Sequence, residues 1–288
     1  MAQVIIDKSY LDAASPSQVR QLCTKHTVLM ADVLFYELMT TNERSRKHCF
    51  NKFPDTNNPV KLVPNVGSLL KYELDTHQPC TPLYNRCKKI NFKFHKGLRA
   101  GTFHFTKEQR KGIWKRKAEV KQQTKEFFEL AMMVHGFFPY LKRMPYNHFS
   151  NSIQKAKQEV ATNEEKVREI YMSLLKQNVL PSNAIKPEAL GPNWAHFRRI
   201  QIRVIYSLDL LLRYQGKLPT NTSDNFWRKI EHEMLDIEYV ILGSLAGALA
   251  SNDNGMIEKY QFALMVYCLH LGTVRYFRDA LTPFVFEK

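Results

Sequence analysis

Two short apolar runs, each closed by an aspartate, stand at opposite ends of the chain: QVII (residues 3–6) before Asp7, and ALASND, which ends at Asp253. Runs this short suit buried strands rather than helices. An acid at the end of such a strand sits where open α/β sheets present their chemistry. Helical patterns flank both runs. A loop is expected after the first run, the segment after Ser15-Pro16-Ser17 has helix-start chemistry, Thr27 to Leu29 suits a second short strand, and Ala31 to Thr40 (ADVLFYELMT) a short helix. Towards the other end, Ser223 or Asp224 can cap a helix running through FWRKIEHEMLDIEYVILGSL. Gly255 opens another amphipathic helix, and TVRYF suits a last strand. Alternation at both ends predicts an α/β fold: a mostly parallel central sheet flanked by helices, built from 1–45 and 224–288.

The middle, 46–223, follows another pattern. Pro54, Pro59, Pro64, Pro79 and Pro82 keep 50–104 loop-rich. Helices are expected from Thr106 to about His135, at 148–178 and at 195–215, with LPSNAIKPEALGPNW as punctuation. No low-complexity linker separates the regions, so a large, mainly helical insertion packed on the core is expected.

Charge divides the chain in the same way. The net +15 resolves into −1 over 1–45, +19 over 46–223 and −3 over 224–288. The densest cationic stretch, 88–125, includes Lys93, Lys96, Arg99, Arg110, Lys111, Lys115 and Lys117 against only Glu108 and Glu119, with Phe92, Phe94, Phe103, Phe105 and Trp114 interleaved. Cations neutralise phosphates and aromatic faces stack on unpaired bases, a mixture suited to single-stranded or looped RNA. Arg110, Trp114 and Lys117 recur at helical spacing and so allow one cationic face. Arg198 and Arg199, in the HFRR sequence with Arg203 nearby, extend that groove or merely cover it. The alternation in INFKFH and TFHF equally fits strands that bury their Phe side, and a cationic helix also reads as a solvated one.

Four carboxylates complete the constellation: Asp7 after VII, Glu37 in LFYEL, Asp236 in DIEYV and Asp253 in SND. Several carboxylates around one cleft can hold Mg2+ or Mn2+, and such ions activate water and offset phosphodiester charge, as in metal-dependent nucleases. Each acid has a plainer reading. Asp7 can end its strand as a turn residue, Asp32 can stand in for Glu37, Glu233 or Glu238 for Asp236, and Asp253 can simply cap the helix near Gly255.

VIID-x-S near the N-terminus, ADVLFYE in the first helical hairpin and DIEYVILGSLAGALASND near the C-terminus together resemble the PIN domain, a fold of metal-dependent ribonucleases. The resemblance covers roughly 1–45 and 224–288; common PIN domains are far shorter between those pieces. It implies a four-carboxylate metal site of Asp7, Glu37, Asp236 and Asp253, with Ser9 and Asn252 orienting groups around it. It further implies an endoribonuclease that uses Mg2+ or Mn2+ to leave a 5′-phosphate and a 3′-hydroxyl. Structured RNA such as tRNA, or mRNA bound with a larger assembly, is then the expected substrate. Toxin and phage-defence roles both use such nucleases. A structure-specific DNA nuclease of the same fold, or an inactive RNA-binding or assembly protein, remain alternatives.

Other chemistry finds little support. His48, Cys49, His77, Cys80 and Cys87 lack the paired spacing of a zinc site, and there is no P-loop, dinucleotide glycine pattern or nucleophile elbow. Five cysteines without regular spacing do not suggest a secreted disulfide framework. With no apolar run of membrane-spanning length and no leader-like start, a cytoplasmic protein without membrane partners, as a homo-oligomer or within a larger assembly, is the expectation.

Overall fold

The computed structural model describes residues 2–56, 59–86, 96–143, 146–177, 179–180, 184–220, 222–271, 275–277 and 283–285. Lys93, the INFKFH run and Cys87 lie outside them. Strand β1 (Gln3–Ile6) leads into helix α1 (Lys8–Ala13) and α2 (Pro16–Lys25), followed by β2 (Thr27–Ala31), α3 (Asp32–Thr40) and α4 (Glu43–Phe50). Strand β3 (Lys61–Val63) and α5 (Val66–Thr76) come next, then α6 (Lys96–Ala100), α7 (Lys107–Phe137), α8 (Tyr146–Thr162), α9 (Glu164–Lys176) and α10 (Ala195–Arg213). The chain closes with α11 (Asp224–Ala246), β4 (Ala248–Ala250), α12 (Asn254–Leu271), β5 (Arg275–Phe277) and β6 (Pro283–Val285).

The protein is α/β, with a parallel sheet flanked by helices. Strands β3, β2, β1 and β4 lie side by side in parallel, continued by β5 in parallel and β6 in antiparallel pairing. The central pair joins the chain's two ends: Ile5 faces Leu249 and Ile6 faces Ala250. Val4, Ile5 and Ile6 are fully buried, as are Leu29, Met30 and Ala250, which is why these strands carry no polar face.

Local chemistry sets the element ends. Ser15 and Gln18 form a reciprocal capping box on α2, Thr106 and Gln109 do the same on α7, and Ser223 caps α11 through the Phe226 N–H. Gly247, at φ 87°, closes α11 so that β4 follows at once. Gly243 lets α11 lie close to that strand, since a Cβ there would meet the Leu249 Cβ at 3.1 Å.

The structure departs from the sequence expectations in several places. Residues 8–13 form a helix because Asp7 caps it, where a loop is expected. The 148–178 stretch is two helices, because the Asn163 side chain accepts from the Glu165 and Lys166 N–H groups and so starts α9. The edge strand β3 comes from the basic middle, so the sheet is not confined to the terminal pieces. No strand forms at 102–105. Phe103 and Phe105 nonetheless turn inward, edge to face at 5.2 Å, while Thr102 and His104 stay exposed.

Helices of the basic middle share the core of the sheet. Phe127, Phe128 and Ala131 of α7 and Ile202, Tyr206 and Leu210 of α10 belong to the same apolar cluster as β1, β2 and β4. A second cluster, around Phe138, Ile153, Tyr171, Phe197 and Leu208, holds α8, α9 and the outer face of α10 together. Among the described residues, no helix is long and apolar enough to cross a membrane.

Candidate acidic centre and flanking cationic helix

Asp7 follows β1 directly and is almost wholly buried. Its Oδ1 accepts from the Tyr10 N–H at 2.7 Å, capping α1. Its Oδ2 accepts from Ser9 Oγ at 2.7 Å and from Ser251 Oγ at 2.8 Å. Both hydroxyls also look the other way: Ser9 Oγ accepts from the Asn252 N–H at 2.9 Å and Ser251 Oγ from the Asp253 N–H at 3.0 Å. The segment after β4 is thereby stitched to the segment after β1. Asn252 takes part through its backbone. Asp253 is exposed, and its Oδ1 accepts from the Met256 N–H at 2.9 Å, the capping role open to it from sequence.

Glu37 lies on α3 and accepts a hydrogen bond from Tyr239 OH of α11, which ties the two acid-bearing helices together. One turn before Tyr239 stands Asp236. Burial pushes the Asp7 carboxyl up to about 6 and Glu37 up to about 7. Asp236 is held well above the usual carboxylate range, first by burial and then by the charges of Asp253, Glu37 and Asp7. Asp236 therefore lies within the field of the other three acids. As placed, however, no three His, Cys, Asp or Glu side chains among the described residues are close enough to hold one metal ion.

An all-oxygen donor set whose like charge is offset only in part, by Lys8 and Lys259, suits a hard divalent cation in chemistry. A further buried atom fits the same centre. Tyr206 OH has no hydrogen-bond partner among the described residues, its ring lies 4.8 Å from Lys259 Nζ, and Asp236 and Asp253 are the charges that chiefly act on its hydroxyl.

The rival acids are engaged elsewhere. Arg116 of α7 pairs with Asp32 at 3.1 Å and with the buried Glu238 at 2.8 Å, spanning α3 and α11. Glu233 pairs with Arg213 at 2.5 Å.

The cationic residues separate into two groups. Lys111, Trp114, Lys115 and Lys117 are exposed on the first half of α7, Trp114 to 70% of its surface, with Lys117 Nζ 5.8 Å from its ring. Arg110 is exposed beside them and donates to the Phe105 carbonyl at 3.1 Å. The other group is drawn inward. Arg198 is wholly buried, donating to the Pro192 carbonyl at 2.9 Å and to Gln201 Oε1 at 2.7 Å, so it serves packing instead of a phosphate surface. Arg203 is buried as well, Arg199 pairs with Glu126 at 3.5 Å, and Arg99 donates to the Phe53 and Pro54 carbonyls. Lys96 opens α6; its side chain is not among the described ones.

The zinc candidates also part ways. Cys49 donates to Asp12 at 3.3 Å, Cys80 is buried beside Glu73, and His77 ends α5 in a left-handed conformation. Ser251, Tyr239 and Tyr206 are centre residues that sequence patterns do not single out. For Ser251 the SND tail was the available signal; for the tyrosines there was none, since both read as core.

Comparison of the chain with protein-family models, curated proteins and solved structures returns no match in any of the three.

Proposed function

We propose that this chain is a PIN-type, metal-dependent endoribonuclease, with Asp7, Glu37, Asp236 and Asp253 as the residues that would hold Mg2+ or Mn2+. The observation that supports it best is the pairing of β1 with β4, which brings two acid-bearing strand ends from opposite ends of the chain to one hydroxyl-linked cluster. A bound divalent ion would supply activation of water and neutralisation of phosphodiester charge. The chain's own residues orient and capture: Ser9 and Ser251 hold the Asp7 carboxylate, Tyr239 holds Glu37, and the exposed face of α7 attracts the phosphate backbone. Structured RNA such as tRNA, or an mRNA, suits the cationic first half of α7, about 22 Å over residues 107–121 at 1.5 Å per residue.

The test is cleavage of labelled RNA by the parent, Asp7→Asn and Asp253→Asn proteins, with and without chelator. EDTA-sensitive cutting that both substitutions abolish, with circular dichroism unchanged, supports the proposal; equal cutting by both variants overturns it. Matched DNA strands separate the DNA-nuclease alternative. The spacing of the acids favours a second reading, a catalytically silent RNA-binding protein, because no three stand close enough for one ion. Salt-sensitive RNA binding without Mn2+ uptake would select it.

A further inference from the structure

A cleft of about 440 Å³ opens where β2 and β3 end, at the same C-terminal end of the parallel strands as the acidic cluster but towards the β3 edge of the sheet. Its walls carry Met30 and Leu62 from the strands, Phe35 from α3, and Asn65 and Tyr72 from the start and middle of α5. Arg86 forms the remaining side. Its guanidinium carbon lies 3.6 Å from the centre of the Tyr72 ring, and its Nε is buried with no hydrogen-bond partner among the described residues. Asn65 Oδ1 is used to cap α5 through the Ser68 N–H, which leaves its amide N–H groups as the available donors.

Size and chemistry restrict the occupant. The volume falls in the range of about 300–1,000 Å³ typical of small-molecule sites, so it takes one compact group and not a protein segment. Aromatic faces, a stacked guanidinium and a few in-plane donors are the features that recognise a flat heterocycle with acceptors on its rim. The setting points the same way. An adjoining cleft of about 300 Å³ shares Asp32 and Phe35 with this one and runs to Arg116 and Ile113 on α7, whose outer face carries the exposed lysines. The two clefts together lead from α7 to the ends of β2 and β3.

We propose that the cleft between α3 and α5 is a nucleobase subsite, taking one unpaired base of the bound strand. Its purpose rests on the nuclease reading above, while its binding chemistry does not. Phe35 would face the base, Tyr72 would hold the Arg86 guanidinium in place through its ring face and its hydroxyl, and Arg86 Nε and the Asn65 amide would meet the base's acceptors.

The experiment uses the full chain carrying Asp253→Asn, with binding of a labelled single-stranded RNA followed by fluorescence anisotropy. Phe35→Leu removes the aromatic face and Tyr72→Leu the ring that carries Arg86, both keeping apolar volume; each is expected to weaken single-strand binding about tenfold, within the range known for base–aromatic stacking. Binding of a duplex of the same sequence should not change. Oligomers with one abasic position scanned along the strand need no variant: one position should reproduce the loss, and the same loss on matched DNA supports the proposal equally, because the site reads a base. Parent-like affinity in both folded variants, or an abasic scan without any loss, overturns it. If the parent chain cuts no RNA but the abasic loss persists, the nuclease reading fails and the subsite stands. Cutting without any base dependence gives the reverse.

Discussion

Asp7 and Ser251, 244 positions apart in the chain, meet through a 2.8 Å hydrogen bond that closes the acidic centre. Ser251 Oγ is also the acceptor for the Asp253 N–H, so one hydroxyl fixes two of the four acids.

Ser251→Ala is expected to destabilise the fold by about 1–3 kcal/mol, because it strips a donor from a buried carboxylate and an acceptor from a backbone N–H. Ser251→Thr should recover most of it, since the hydroxyl remains. Urea denaturation of the three proteins gives the comparison, and identical midpoints for parent and Ala variant would refute the coupling.

Stability of the metal-free protein should fall as pH rises from about 4 to about 7. Asp7 and Glu37 titrate near 6 and near 7 in the folded state against 3.8 and 4.5 ordinarily. Within that window the folded chain binds more protons than the unfolded one, so their stabilising share is complete below the ordinary values and lost as pH passes the raised ones. Melting temperatures measured in EDTA across this range would reveal the slope, which Glu37→Gln should reduce. A slope unaffected by that substitution counts against the assignment.

Arg116→Met should cost about 3 kcal/mol or more, because Glu238 would be left buried without its cation. Asp32 is partly solvated and contributes less. In the Arg116→Met background, Glu238→Gln should restore part of the loss. Chemical denaturation of the single and double variants measures the coupling; simple additivity of the two would contradict it.

Replacing Lys111, Lys115 and Lys117 together with Gln should weaken RNA binding and reduce its dependence on salt. Three lost phosphate contacts lower the slope of log affinity against log salt by about 2 for a single strand. Arg198→Gln, by contrast, should act on stability and not on that slope, since its guanidinium is buried among carbonyls and Gln201. An unchanged slope for the lysine variant would show that RNA passes elsewhere.

The sequence by itself determined the elements of the sheet's centre and the caps of its helices. Strand-length apolar runs, Ser15 with Gln18, Thr106 with Gln109 and Gly247 act within a few residues, and such local chemistry is legible along a chain. The positions of Asp7 and Asp253 at strand ends were legible for the same reason. Tertiary structure decided which charges remained at the surface. Lys111 and Arg198 are alike as sequence, but the buried side of α10 could accept Arg198 only because the Pro192 carbonyl and the Gln201 amide nearby are joined by the Ala263 carbonyl, brought in from 65 residues away. It likewise decided which acids stayed free: Arg116 took Asp32 and Glu238 out of contention across gaps of 84 and 122 residues. Tyr239 and Tyr206, which read as core, gained their place beside acids from helix packing alone. Burial and pairing across such separations depend on how helices lie against the sheet, and no local pattern encodes that.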